Sequence, residues 1–146
     1  ISTLDKEKAL AQTNACLKSD SVSIFEAAIR FETLFIRADI LVKDGNRLFL
    51  YEVKAKSFDP AKETFSNKNG TIKAKWKPYL QDVAFQKYVI EKAFPNYEVM
   101  PYLILVDKTV GCSIEGLNQK FRVSRDKNRR LIVNKPDDFT AADIDT

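Results

Sequence analysis

Apolar and polar positions in this chain follow two different periods. Over 22–32, VSIFEAAIRFE, they alternate with period two: Phe25, Ala27, Ile29 and Phe31 fall on one face, and Ile24, Glu26, Ala28 and Arg30 on the other. Residues 34–43, LFIRADILVK, predict a second strand, and Asp44-Gly45-Asn46 is a strong hairpin turn. Residues 47–56 predict a third strand, apolar on both faces as a central strand should be. Helical spacing appears twice. Residues 4–18 place Leu4, Leu10, Ala11 and Leu17 on one stripe, and PYLQDVAFQKYVIEKAF places Tyr79, Val83, Phe85–Gln86 and Ile90 together, with Pro78 in its first turn and Pro95 as its stop. A fourth strand follows at 98–106, EVMPYLILV.

Between the third strand and the second helix lies a basic stretch, 58–78, without a clear period. Structureless loops of that length inside a compact domain usually serve a function or are disordered. Residues 111–134 are irregular, with strand-like pieces at 120–124 and 130–134, and DFTAADI suggests a short terminal helix. No repeat or linker divides the chain, so 1–146 is expected to be one α/β domain with a mixed sheet flanked by helices. The chain opens on Ile rather than Met, so it is expected to be part of a longer protein.

Composition narrows the chemistry. There is no histidine, which removes His-based general bases, Ser-His-Asp and Cys-His nucleophiles, and His metal ligands. Cys16 and Cys112 are isolated, so neither a disulfide framework nor a zinc site is expected, and reduced cysteines suit a cytoplasmic location. Any metal must therefore be a hard ion on oxygen ligands. The net charge is only +4, but the basic residues cluster: seven lysines lie in 54–77, and Lys120, Arg122, Arg125, Lys127, Arg129 and Arg130 in 120–130. Two such patches suit a polyanion, and they suit solvated loops equally well.

The third strand contains the most informative feature, Glu52-Val53-Lys54 inside LFLYEVKAKS. Glu52 and Lys54 share a face, and buried charges need compensation. A turn centred on Gly45-Asn46 sets Asp39 opposite Glu52, with their Cβ atoms about 4.5–5.5 Å apart. Two carboxylates so close repel unless a cation bridges them. Mg²⁺ or Mn²⁺ on Asp39 and Glu52, with Lys54 beside it, is the equipment for phosphodiester hydrolysis. A purely structural ion-pair cluster is the competing interpretation. In the basic stretch, KNGTIKAKWKPY places Lys73, Lys75 and Lys77 at alternate positions beside Trp76. If extended, it would line three ammonium groups along a phosphate backbone, with Trp76 either stacked on a base or tucked into the core.

Asp39 followed by Glu52-Val53-Lys54 on adjacent strands resembles the PD-(D/E)XK nuclease superfamily. EAAIRFE, RADIL, EVKAKS and DVAFQKYV together resemble an uncharacterised bacterial family of its RecB-like branch, related to the exonucleases of CRISPR adaptation. That resemblance implies a restriction-endonuclease-like αβββαβ core and Mg²⁺- or Mn²⁺-dependent cleavage of DNA. It implies Asp39 and Glu52 as metal-binding acids, the Val53 carbonyl as a third ligand and Lys54 as the catalytic lysine. It further implies Gln86, or less well Gln81, as the helix glutamine and Tyr88 as the tyrosine of this branch. Glu26 is either an additional metal-site acid or a polar residue of an edge strand. The cluster-binding cysteines of the CRISPR relatives have no counterpart in this stretch. The alternative to a nuclease is a non-catalytic nucleic-acid-binding or structural module that keeps the fold.

Overall fold

A computed structural model describes residues 1–111, 120–127, 129, 131–134 and 136. The chain divides into two compact units, Ile1–Asp107 and Lys108–Thr146. The first contains α1 (Lys6–Cys16), β1 (Ser21–Phe31), β2 (Leu34–Asp44), β3 (Arg47–Phe58), α2 (Lys77–Ala93) and β4 (Glu98–Asp107). Its sheet has the order β1-β2-β3-β4, antiparallel across the first two pairs and parallel between β3 and β4. The expected mixed sheet with helices against it is therefore present. In the second unit, β5 (Arg122–Arg125) pairs with β6 (Leu131–Asn134) as an antiparallel ribbon. The terminal helix expected at DFTAADI, and Cys112, lie outside the described residues. No described helix is long and apolar enough to cross a membrane.

Helix α1 starts at Asp5, whose side chain accepts from the Lys8 amide at 3.1 Å, so the cap satisfies one of the free N–H groups of the first turn. Its buried stripe is Ala9, Thr13 and Leu17, four residues apart. Leu4, expected on that stripe, precedes the cap and is exposed. Thr13 Oγ1 accepts from the Ala28 amide at 2.9 Å and so docks the helix on β1. At the other end, the buried Lys43 ammonium donates to Leu17 O at 2.9 Å, a cation at a helix C-terminus.

The core is built from Ile24, Ala27, Ile29, Ile36, Ala38, Leu41, Leu48 and Leu50 of the sheet, with Val89 and Ile90 of α2 and Val99 of β4. Each fully buried aliphatic side chain of this kind contributes about 1.5–3 kcal/mol. The alternation expected for β1 is broken once. Ile24 is buried, Phe25 is exposed, and burial then resumes at Ala27. The residue between them, Glu26, has φ +56°. A left-handed residue within a strand reverses the sense of alternation, which is why Ile24 and Ala27 reach the same core. Strand β3 has its own irregularity: it advances from Lys54 to Ser57 while β4 moves only from Leu105 to Val106. Such a bulge bends the strand and re-aims side chains next to it. The 59–76 stretch has little regular structure, with one bridge between Ser66 and Ile72, and is held by an aromatic cluster of Phe58, Phe65, Trp76 and Tyr79.

Candidate active site

The tight turn at Gly45 (φ +58°) sets the β2–β3 register, with pairs from Asp44↔Arg47 to Ile40↔Tyr51. One further step along both strands places Asp39 opposite Glu52, the register expected from the turn. The regular ladder ends at Ile40↔Tyr51, and the next contact is of a different kind: Asp39 Oδ2 accepts from the Val53 amide at 2.8 Å. A side chain here takes the place of a strand carbonyl. Within a strand, the N–H and C=O of one residue face the same neighbour, so the Val53 carbonyl is directed toward the Asp39 side as well. On the opposite flank, the pairs Phe25↔Ile40 and Ala27↔Ala38 bracket Glu26 and Asp39. Glu26, Asp39 and Glu52 thus form a row across β1, β2 and β3.

Glu52 is only 4% exposed, and its burial is compensated from two sides. Oε1 accepts from Lys54 Nζ at 2.5 Å, and Oε2 accepts from Gln86 Nε2 at 2.6 Å. Lys54 also donates to Asp82 Oδ2 at 2.9 Å, and Gln86 Nε2 lies 3.4 Å from Asp82 Oδ1. Asp82 and Gln86 are one turn apart on α2, so a single helix face supplies both. The hydrogen bonds to Glu52 and Asp82 outweigh desolvation and hold the Lys54 pKa above its ordinary value. For Asp82, burial pushes the pKa up, but the hydrogen bonds from Lys54 and Gln86 prevail and the carboxyl lies below its ordinary value.

The Gln86 amide has one sensible orientation, because two carboxylates require its NH₂ group. Its Oε1 is then left buried without a hydrogen-bond partner. A buried polar atom of this kind invites a donor or a cation. Two carboxylates, of Glu52 and Asp82, share the one ammonium of Lys54, so that group carries a formal charge of −1, and the Asp39 carboxylate adds another negative charge nearby, on the Val53 amide. Among the described residues, no group of three or more acidic, Cys or His side chains is arranged to hold a metal ion. A cation here would rest on two carboxylates, with carbonyl oxygen and water completing the set. That suits Mg²⁺, which uses one or two carboxylates and keeps several waters.

Asp39, Glu52, Lys54 and Gln86 are therefore brought to one place, with Val53 between them. Glu26 is exposed and lies across from Asp39. Tyr88 turns away: it packs edge-on against Phe31 and under Lys92. In the basic stretch, Trp76 takes the core alternative, and the segment does not run extended. Trp76 is fully buried among Phe58, Phe65 and Tyr79, so it has no face left for a base. Residues 74–76 form a turn closed by the Trp76 amide on Lys73 O, so Lys73, Lys75 and Lys77 do not line an extended edge. Lys73 donates to Thr64, Lys75 pairs with Glu63 at 2.8 Å, and Lys77 opens α2. The residue that sequence reasoning missed is Asp82. Its spacing of four from Gln86 serves to pick out the glutamine, and the same spacing puts Asp82 on the same helix face.

No family model matches the chain, and neither a curated protein nor a solved structure matches it significantly.

Proposed function

We propose that this chain is a Mg²⁺- or Mn²⁺-dependent nuclease domain that hydrolyses phosphodiester bonds in DNA, with a restriction-endonuclease-like core. The observation that carries the reading is the meeting of Asp39, Glu52 and Lys54 where the β2–β3 ladder ends. Asp39 and Glu52 would hold the metal, with the Val53 carbonyl as a third oxygen. The fit rests on an all-oxygen donor set, the excess of carboxylate over ammonium charge around Glu52 and the partnerless Gln86 Oε1.

When bound, the metal polarises the phosphate and supplies a water of lowered pKa. The chain's own groups do the rest. Lys54, held protonated, offers an ammonium to negative charge that develops on the phosphate. Gln86 keeps Glu52 oriented through its short hydrogen bond. The β3 bulge after Lys54 leaves the strand open beside the reacting group. A basic chain of net charge +4 favours a polyanionic substrate.

One observation favours the non-catalytic alternative: Lys54 is already paired with Glu52 and Asp82, as in a structural ion-pair cluster. Assays on single- and double-stranded DNA and RNA, with and without Mn²⁺, separate the two. The nuclease reading expects Mn²⁺-dependent cleavage of DNA that is lost in Lys54→Ala. Salt-dependent DNA binding without cleavage would establish the binding module instead.

A further inference from the structure

The proposed chemistry asks two things of Glu52 at once. Its carboxylate would serve the cation, yet both of its oxygens are engaged, one by Lys54 and the other by Gln86. A cation on Glu52 competes with the Lys54 ammonium for the same lone pairs. Lysine has a long flexible stem and a strongly hydrated head, and here the side chain is 27% exposed. With only Glu52 to hold it, the ammonium would be released to solvent as the metal binds.

Asp82 removes that conflict. It accepts from the same ammonium at 2.9 Å, and it stands on α2 rather than on the strand that carries Glu52. The helix is anchored to the sheet through Val83, Gln86, Val89 and Ile90, all buried, so the position of Asp82 does not depend on how Glu52 is used. Gln86 braces Asp82 from one turn further on.

We propose, resting on the nuclease reading, that Asp82 is a positioning residue that keeps the Lys54 ammonium at the site when Glu52 is given over to the metal. Asp82 itself touches neither metal nor phosphate in this assignment.

The test is the side-chain ammonium resonance of Lys54 in ¹⁵N-labelled protein, assigned with Lys54→Arg. A hydrogen-bonded ammonium gives a slowly exchanging signal, and a solvated one does not. Wild type should keep the signal with and without saturating Mg²⁺. Asp82→Ala should keep it without Mg²⁺ and lose it with Mg²⁺, and Asp82→Glu should restore it. Persistence in Mg²⁺-loaded Asp82→Ala, or loss from Mg²⁺-loaded wild type, overturns the proposal.

Metal-free protein separates this claim from the nuclease reading. Glu52→Leu should retain the signal and Glu52→Leu/Asp82→Ala should lose it, whether or not Mg²⁺ ever binds. Loss in folded Glu52→Leu alone overturns the positioning role. Failure of wild type to bind Mg²⁺ sinks the nuclease reading and leaves the metal-free pair to decide. In an active enzyme, Asp82→Ala should lower kcat about tenfold with KM unchanged, and should add nothing in a Lys54→Ala background. A rise in KM alone would assign Asp82 to substrate binding.

Discussion

Asp39 accepts the amide hydrogen of Val53 at the step where the β2–β3 ladder stops. A carboxylate thereby replaces a backbone acceptor, and the two strands part with an acid at the fork. Asp39→Asn keeps an acceptor in place, so it should leave the melting temperature within a few degrees of wild type while abolishing the response to Mn²⁺. Asp39→Ala should in addition lose the hydrogen bond, worth about 0.5–1.5 kcal/mol. Differential scanning fluorimetry with and without Mn²⁺ measures both. An Asp39→Asn protein that still gains stability from Mn²⁺ places the cation elsewhere.

Gln86 is the only polar residue in the buried face of α2, and its amide meets a buried carboxylate. Gln86→Leu should cost about 1.5–3 kcal/mol, because Glu52 then loses a charge-assisted hydrogen bond while remaining buried. Gln86→Leu/Glu52→Leu should recover part of that loss. A urea midpoint for Gln86→Leu equal to wild type would mean that Glu52 does not depend on the amide.

The ion cluster gives stability a dependence on pH at both ends. Asp82 has a folded pKa below its ordinary value, about 3.9, so its contribution is present above that value and is lost as pH falls through the folded pKa. Lys54 has a folded pKa above its ordinary value, about 10.4, so its contribution is intact below that value and is lost as pH rises through the folded pKa. The stability difference between wild type and Asp82→Asn should therefore shrink from about pH 5 downward, and that between wild type and Lys54→Met should shrink above about pH 10. Urea titrations across this range test the sign. A gap for Asp82→Asn that widens in acid contradicts it.

The hairpin register was legible because a tight Asp44-Gly45 turn leaves one symmetric pairing, and a one-residue slip would expose Leu48 and Leu50. Glu52 and Lys54 stood out as charges two apart in an apolar strand, and that register set Asp39 opposite Glu52. Other features were not legible. A left-handed glutamate inside a strand has no local signal, so the reversal of burial at Glu26 was invisible. Leu4 read as a helix residue because nothing in its own side chain marks Asp5 as the cap. Trp76 had two plausible fates, and the decision depends on Phe58 and Phe65, far enough away in sequence that only the folded chain brings them together. The link from Lys54 to Asp82 joins a strand to a helix 28 residues further on, a contact that spacing can suggest but not establish.

Trp76 tests whether the basic stretch is read correctly. As a core residue, Trp76→Ala should cost about 3–5 kcal/mol, and Trp76→Phe considerably less. Folded Trp76→Phe should bind DNA as wild type does, since no face of the indole is available to a base. A loss of DNA affinity in Trp76→Phe at unchanged stability would return the ring to the substrate.

The most direct measurement is anomalous diffraction from crystals soaked in Mn²⁺. The account expects one strong peak within about 2.0–2.6 Å of carboxylate oxygens of both Asp39 and Glu52, the range of hard-cation–oxygen bonds, and no peak in Asp39→Asn/Glu52→Gln. A fully soaked crystal with no manganese between those two residues, and Lys54 still bonded to Glu52, would contradict it.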